Sequence, residues 1–378
     1  MQTVSERLFV SYILICSISY YNKKKPKPMP KFKIDGFEIE VENGTTVLNA
    51  ARMIGGDLVP PAMCYYSKLE GSGGKCRTCL VRVGTPMFDQ ATRQPVIDEA
   101  TGQQKIGFFP KLMASCRTTV SEGMVVENIT NPDVIAARAS IVEMLLLNHP
   151  LDCPVCDQAG ECDLQNLSFE HGSAKTRYNY DRRTFERIDI GEKISLHMTR
   201  CIMCFRCVFT ASQITDGRVH GIMNRGDRAE ISTFIEQAID NDFSGNVIDV
   251  CPVGALTDRT FRFKNRVWFT KPMDAHRNCN TPKCNGKVRL WQRGEMILRV
   301  TARKDQYGEV EEFICNTCRY DKKQASDWTI EGPTRVAKES VIGANHYEGA
   351  KLDNMVPDYD GLQKATDNPW IGRDHYAH

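Results

Sequence analysis

The stretch from His149 to Cys162 reads HPLDCPVCDQAGEC and sets one histidine ahead of three cysteines, His149, Cys153, Cys156 and Cys162. Imidazole and thiolate at these intervals form a borderline-to-soft ligand set of the kind that holds an iron–sulfur cluster. Two more cysteine groups flank it: Cys64, Cys76, Cys79 and Cys116 upstream, and Cys201, Cys204, Cys207 and Cys251 downstream. Carriers in series make a wire, so the chain reads as an electron carrier.

The first group has one cysteine, a close pair in GKCRTC and a distant closing cysteine in ASCRT, an order that suits a [2Fe–2S] cluster held by four thiolates. Plant-type ferredoxins leave four residues between their first two ligands, whereas eleven separate Cys64 from Cys76. The glycine-rich GSGG before Cys76 lets backbone N–H groups reach sulfur. In the second group His149 supplies a neutral nitrogen in place of a thiolate. The third group, the tight run CIMCFRC closed by Cys251-Pro252, has the order of a bacterial-type [4Fe–4S] site, and a single such run means that Cys251 closes the same cluster. A fourth group, Cys279, Cys284, Cys315 and Cys318, consists of two close pairs around a predicted hairpin. That is how a zinc ribbon is built, yet the same cysteines suit a further [4Fe–4S] cluster, and both readings stand. His276 precedes Cys279 by three residues, either as a substitute ligand or as a free surface histidine.

Composition fits this reading. The 378-residue chain has 49 basic and 47 acidic side chains, which removes any bulk electrostatic reason to expect nucleic acid as a partner. A zinc-dependent nucleic-acid binder is disfavoured on the same ground. Of 16 cysteines, nine lie in Cys-x2-Cys runs in a chain without a convincing secretory signal, which favours metal ligation in a reducing compartment over disulfides. Residues 9–21 are moderately apolar but too short for a membrane span and are followed by KKKPKP. They read as a leader or as an extension upstream of Met29, so Cys16 is left out of the ligand count.

The elements that must position these ligands follow. FKIDGFEIE reads as two strands around Asp35-Gly36, Thr45 or Thr46 caps a helix through LNAARMI, and CLVRV and MVVENI return as strands. Asn131-Pro132-Asp133 starts a helix whose apolar residues Ile135, Ile141, Val142, Leu145 and Leu146 recur at helical spacing, and Pro150 stops it so that it delivers His149. Residues 165–195 read as irregular, EISTFIEQAI as a helix, and KVRLWQRG with EMILRVTAR as a β-hairpin. The expected class is α+β. Residues 1–30 form the leader or extension, 31–130 a β-grasp, ferredoxin-like [2Fe–2S] domain, and 131–195 a helix with the one-His/three-Cys [4Fe–4S] module. Residues 196–268 form a ferredoxin-like [4Fe–4S] module, 269–330 a small β-rich Cys-pair domain, and 331–378 a polar tail.

At GSGGKCRTCLV, ASCRT, NHPLDCPVCDQAGECDLQ, TRCIMCFRC and DVCPVGALTD, from about Phe32 to Tyr320, the chain closely resembles the large iron–sulfur subunit of respiratory complex I, the NADH:quinone oxidoreductase. The resemblance implies one [2Fe–2S] cluster at the first group and two [4Fe–4S] clusters at the second and third, while the fourth stays open between zinc and a further [4Fe–4S] cluster. It implies partners on two sides, a flavin-bearing NADH-oxidising subunit that donates electrons and quinone-side iron–sulfur subunits that receive them. Membrane contact would come only through the complex, on the cytoplasmic face of a bacterial inner membrane or the mitochondrial matrix face. Two departures matter. Relatives usually continue into a long molybdopterin-oxidoreductase-like domain, so a short form without a pterin site is expected. Some relatives also hold a fourth cluster on a Cys-x2-Cys-x3-Cys run, where this chain has His276, a longer Cys279–Cys284 gap and an extra Cys318. The alternative is the diaphorase-side iron–sulfur subunit of an NAD-reducing hydrogenase, which shares the first three groups.

Overall fold

In the computed structural model, residues 29–331 are described, except 100, 174, 187, 216, 218, 234–237, 322 and 323. Nearly all of the expected leader and tail, and Cys16, lie outside them. Strands β1 (Lys31–Ile34) and β2 (Phe37–Glu40) form an antiparallel hairpin around Asp35 and Gly36, both at positive φ. The Thr46 hydroxyl accepts the N–H of Asn49 at 3.3 Å and caps α1 (Val47–Ile54), which buries Val47, Leu48, Ala50 and Ala51. β3 (Leu80–Pro86), β4 (Ile106–Phe108), β5 (Met113–Ala114) and β6 (Met124–Glu127) complete a six-stranded sheet in the order β2-β1-β6-β3-β4, with β5 on β3. Only β1 and β6 run parallel, at its centre. Phe32, Ile34, Val81, Val83 and Val126 alternate inward and pack with Val47 and Ala50 of α1. The long loop from Val59 to Cys79 leaves one end of this unit.

Helix α2 (Pro132–Leu146) begins at Asn131, whose side chain accepts the N–H groups of Asp133 and Val134. The expected apolar stripe holds at Val142, Leu145 and Leu146, which pack on the core, but Ile135 is exposed, and the fully buried positions are Val134, Arg138 and Val142, four residues apart. A buried arginine occupies the stripe because its guanidinium finds acceptors, described below. Residues 165–195 are not wholly irregular. α3 (Asp163–His171) follows directly from Cys162, with Asp163 in its first turn and Leu164 and Leu167 buried one turn apart. Two apolar contacts suffice for this helix, which leaves its pattern weak in the sequence.

β7 (Ile194–Leu196) leads to the tight cysteine run and α4 (Arg206–Gln213). The spacing in EISTFIEQAI predicts a helix, but Glu230–Thr233 forms β9, antiparallel to β8 (His220–Met223); residues 234–237 lie outside the described set. The β-branched Ile231 and Thr233 face inward with Ser232 between them, and pairing with β8 outweighs the helical spacing. α5 (Asn246–Val250) ends at Cys251, and β10 (Leu256–Asp258) returns beside β7. Finally β11 (Lys271–His276), β12 (Lys287–Arg293) and β13 (Met296–Thr301) form a meander, α6 (Asn316–Tyr320) packs on β13, and β14 (Thr329–Glu331) pairs with β11. The expected hairpin is β12–β13. This sheet leans on the first unit, where Tyr66 Oη accepts the Val310 N–H at 2.7 Å and Glu309 binds Arg52 and the Ser67 N–H.

Candidate metal centres

The first group sits where the 59–79 loop meets the turn after β5. Its sulfurs form two pairs. Cys79 Sγ is 3.3 Å from Cys116 Sγ, and Cys64 Sγ receives the N–H groups of Lys75 and Cys76 at 3.3 Å each. Gly74 N–H points at Cys116 Sγ at 3.2 Å. Gly73, at φ +93°, passes so close that an added Cβ would lie 3.1 Å from Cys116 Sγ. Arg77, between the close pair, also has positive φ, so the backbone curls its amides toward sulfur. Hydrogen bonding between paired sulfurs pushes Cys64 and Cys79 up and draws Cys76 and Cys116 down.

In the second group His149, Cys153 and Cys162 line one cavity of about 380 Å³ between the end of α2, α3 and residues 175–182. Cys156 does not line it; its Sγ lies against Gly254, where an added Cβ would come within 2.1 Å. His149 is partly buried, and that burial pushes its imidazolium down to about 4, so the ring is neutral near neutrality. Its Nδ1 is buried without a hydrogen-bond partner, an orphan that a metal bond would satisfy.

In the third group Cys204, Cys207 and Cys251 are buried and Cys201 is partly exposed. Cys201, Cys204, Cys207 and Cys251 all line one pocket, closed by Leu196, Ile231, Val253 and Leu256. Met203 and Phe205, between the cysteines, both have positive φ, and the Met203 N–H reaches Cys201 Sγ at 3.3 Å. Burial raises all four thiols above their ordinary range. A metal centre bound here would supply the positive charge that draws such thiols to thiolate. In the fourth group all four sulfurs lie within 4.8 Å of one another, and Cys284, Cys315 and Cys318 are buried. His276 stands outside that set, with Nδ1 2.6 Å from Glu331 Oε1.

One apolar core contains cysteines of three groups: Cys64 and Cys76, Cys162, and Cys204, Cys207 and Cys251, packed with Met63, Met198 and Val253. Three buried arginines, which sequence reasoning missed, fix this arrangement. Arg206, inside the tight run, donates to the carbonyls of Ala62 (3.0 Å) and Tyr65 (2.8 Å) beside Cys64, and to Val250 O (3.5 Å) beside Cys251. Arg200 donates to Asp152 Oδ2 at 2.8 and 2.9 Å, beside Cys153, and to Gly254 O. Arg138 of α2 donates to Thr78 O (3.2 Å) and Asn128 Oδ1 (2.6 Å), docking the helix that leads to His149 on the Cys76–Cys79 loop. The available signal was adjacency for Arg200 and Arg206, which flank cysteines in TRCIMCFRC; nothing local marked Arg138.

Residues 28–131 match the family described as 2Fe-2S iron-sulfur cluster binding domain. Residues 138–177 match the NADH-ubiquinone oxidoreductase-G iron-sulfur binding region, and residues 191–257 the NADH-quinone oxidoreductase subunit 3, ferredoxin-like domain. The chain is 37% identical over 327 residues to a subunit of the NADH-quinone oxidoreductase of Rickettsia bellii, covering 85% of this chain and 43% of that protein. It is 36% identical over 295 residues to the mitochondrial NADH dehydrogenase [ubiquinone] iron-sulfur protein 1 of Solanum tuberosum, covering 78% and 36%. The chain spans less than half the length of these curated relatives. Among solved structures, a chain of an NAD+-reducing [NiFe]-hydrogenase shares the fold with a TM-score of 0.50 at 24% identity, covering 63% of this chain and 91% of that one.

Proposed function

We propose that the chain, which is 36–37% identical to subunits of a bacterial and a mitochondrial NADH:quinone oxidoreductase, relays electrons within such a complex. The observation that carries the reading is the single apolar core that draws cysteines of three groups together. Cys64, Cys76, Cys79 and Cys116 would hold a [2Fe–2S] cluster. His149, Cys153, Cys156 and Cys162 would hold a [4Fe–4S] cluster, and Cys201, Cys204, Cys207 and Cys251 another. When bound, such clusters supply one-electron carriers. The domain limits read from the sequence, with a β-grasp first unit, are part of this proposal.

The chain's own residues do three things in it. They exclude water, since the third group sits among leucine, isoleucine and valine. They aim amides at sulfur, as Lys75, Cys76, Gly74 and Met203 do. They also place the guanidinium groups of Arg200 and Arg206, each 5% exposed, beside groups whose ionised sulfurs carry negative charge, which favours taking up an electron.

The partners we propose are a flavin-bearing NADH-oxidising subunit, where hydride chemistry belongs, and quinone-side iron–sulfur subunits. Leu151 and Phe169, 85% and 81% exposed beside the His149 cavity, suit a subunit contact there. No helix among the described residues is long and apolar enough to cross a membrane, in keeping with membrane contact through the complex alone. We place the chain in a peripheral arm facing a bacterial cytoplasm or a mitochondrial matrix. The hydrogenase alternative has less support: that likeness is 24% identical, against 36–37% for relatives named for the quinone enzyme.

Electron paramagnetic resonance and Mössbauer spectra of the anaerobically purified, reduced chain test the assignment. One [2Fe–2S] and two [4Fe–4S] centres, about ten irons in all, are expected. Little iron and no acid-labile sulfide in protein never exposed to air would overturn it. A finer outcome concerns Gly254→Ala. Its Cβ would fall 2.1 Å from Cys156 Sγ and 3.2 Å from Gln158 Cβ, so Cys156 must move. The variant should lose about four irons per chain, from the His149 group alone. An unchanged iron count would take Cys156 out of the ligand set.

A further inference from the structure

The fourth group differs from the other three in how tightly it closes. Cys279 Sγ is 3.6 Å from Cys315 Sγ, Cys284 Sγ is 3.8 Å from Cys318 Sγ, and all four sulfurs lie within 4.8 Å of each other. A tetrahedron of thiolates around one ion at the zinc–sulfur bond length has edges of about 3.8 Å. A cubane puts each thiolate outside its own iron, and four irons and four sulfides must fit between the ligands. The space here admits one ion.

The surroundings of the four sulfurs are complete for that purpose. Each has an N–H donor: Thr281 to Cys279 at 3.4 Å, Cys315 to Cys284 at 3.3 Å, Cys318 to Cys315 at 3.4 Å, and Arg277 Nε to Cys318 at 3.3 Å. Gly286, two residues after Cys284, has φ +68°, and an added Cβ would meet the Arg277 carbonyl oxygen at 2.0 Å. The knuckle after Cys284 therefore turns as it does only with glycine there. Cys279 and Cys284 lie between β11 and β12, while Cys315 caps α6 and Cys318 is within it, so one ion bridges the sheet to the helix.

We propose that Cys279, Cys284, Cys315 and Cys318 hold a single zinc ion in a closed, structural tetrathiolate site. The site stands apart from the electron relay. It pins α6, whose Asn316 accepts the Gly245 N–H at 3.0 Å and whose Arg319 grips Asp249, to the base of α5 and so to the approach to Cys251.

The test is zinc content and zinc-edge X-ray absorption of the full chain, with iron assayed on the same sample. One zinc per chain with four sulfurs at about 2.3 Å is expected. Substoichiometric zinc, nitrogen or oxygen among its ligands, a lone iron in the site, or about fourteen irons per chain would overturn the proposal. Cys279→Ser, which alters the half-exposed ligand, should drop zinc from one per chain to near zero; full retention of zinc would also overturn it. Because zinc and iron are counted separately, failure here is distinguishable from failure of the relay assignment.

Discussion

Cys204→Ala is expected to remove one [4Fe–4S] signal, to lower iron by about four per chain, and to stop electron delivery to quinone. NADH oxidation by artificial acceptors should persist, because in the proposed arrangement those acceptors draw on the flavin partner upstream. Cys204 is chosen because it is buried, lines the pocket shared with Cys201, Cys207 and Cys251, and stands two residues before Arg206. Arg206 ties that pocket to the carbonyls beside Cys64, and Arg200 ties the same cysteine run to Asp152 beside Cys153, so the third group adjoins both of the others. A partner's own carrier could bypass a carrier lost at an end, whereas Cys204 is buried. The check is quinone reductase activity of the assembled complex beside spectra of the reduced enzyme. Unimpaired quinone reduction with the signal gone would put the third group off the path.

What the sequence disclosed and what it hid divide along a physical line. Features governed by neighbours in the chain were readable: Asn131 capping α2, the Asp35-Gly36 turn, the β12–β13 hairpin and the cysteine spacings. Each depends on residues within a few positions of one another, where backbone geometry fixes the outcome. Features governed by distant partners were not. β9 is a strand because β8 lies beside it, and α3 survives on two buried leucines supplied with a core from elsewhere. The pairing of Cys64 with Cys76 and of Cys79 with Cys116 is likewise a fact of folding, although their order in the chain already singles out all four residues. Arginine gives the sharpest case. Arg138, Arg200, Arg206 and Arg319 look like surface residues in composition, yet each is at most 5% exposed. Each is tolerated inside because backbone carbonyls or a carboxylate meet its guanidinium, and those acceptors come from segments tens of residues away.

Arg319→Met should cost about 3–5 kcal/mol of stability, the penalty of leaving a buried carboxylate without its partner. Arg319 and Asp249 have side chains 1% and 2% exposed and form a hydrogen-bonded ion pair between α6 and α5. Asp249 Oδ2 also accepts the Ala302 N–H at 3.3 Å, while Arg319 reaches Val300 O at 3.4 Å, so the pair joins both helices to β13. Methionine keeps much of the aliphatic stem and removes only the charge and its donors. Asp249 then loses the ion-pair partner that the described residues give it. Adding Asp249→Leu removes that stranded charge, so the double variant should recover part of the loss even though the pair is gone. Chemical denaturation of the full chain, followed by loss of the visible cluster absorption, measures both. Since α5 ends at Cys251, the single variant should release the third group's iron at lower denaturant than the rest. A change within about 1 kcal/mol would mean that water reaches Asp249 and that this pair does not hold the helix bearing the closing cysteine.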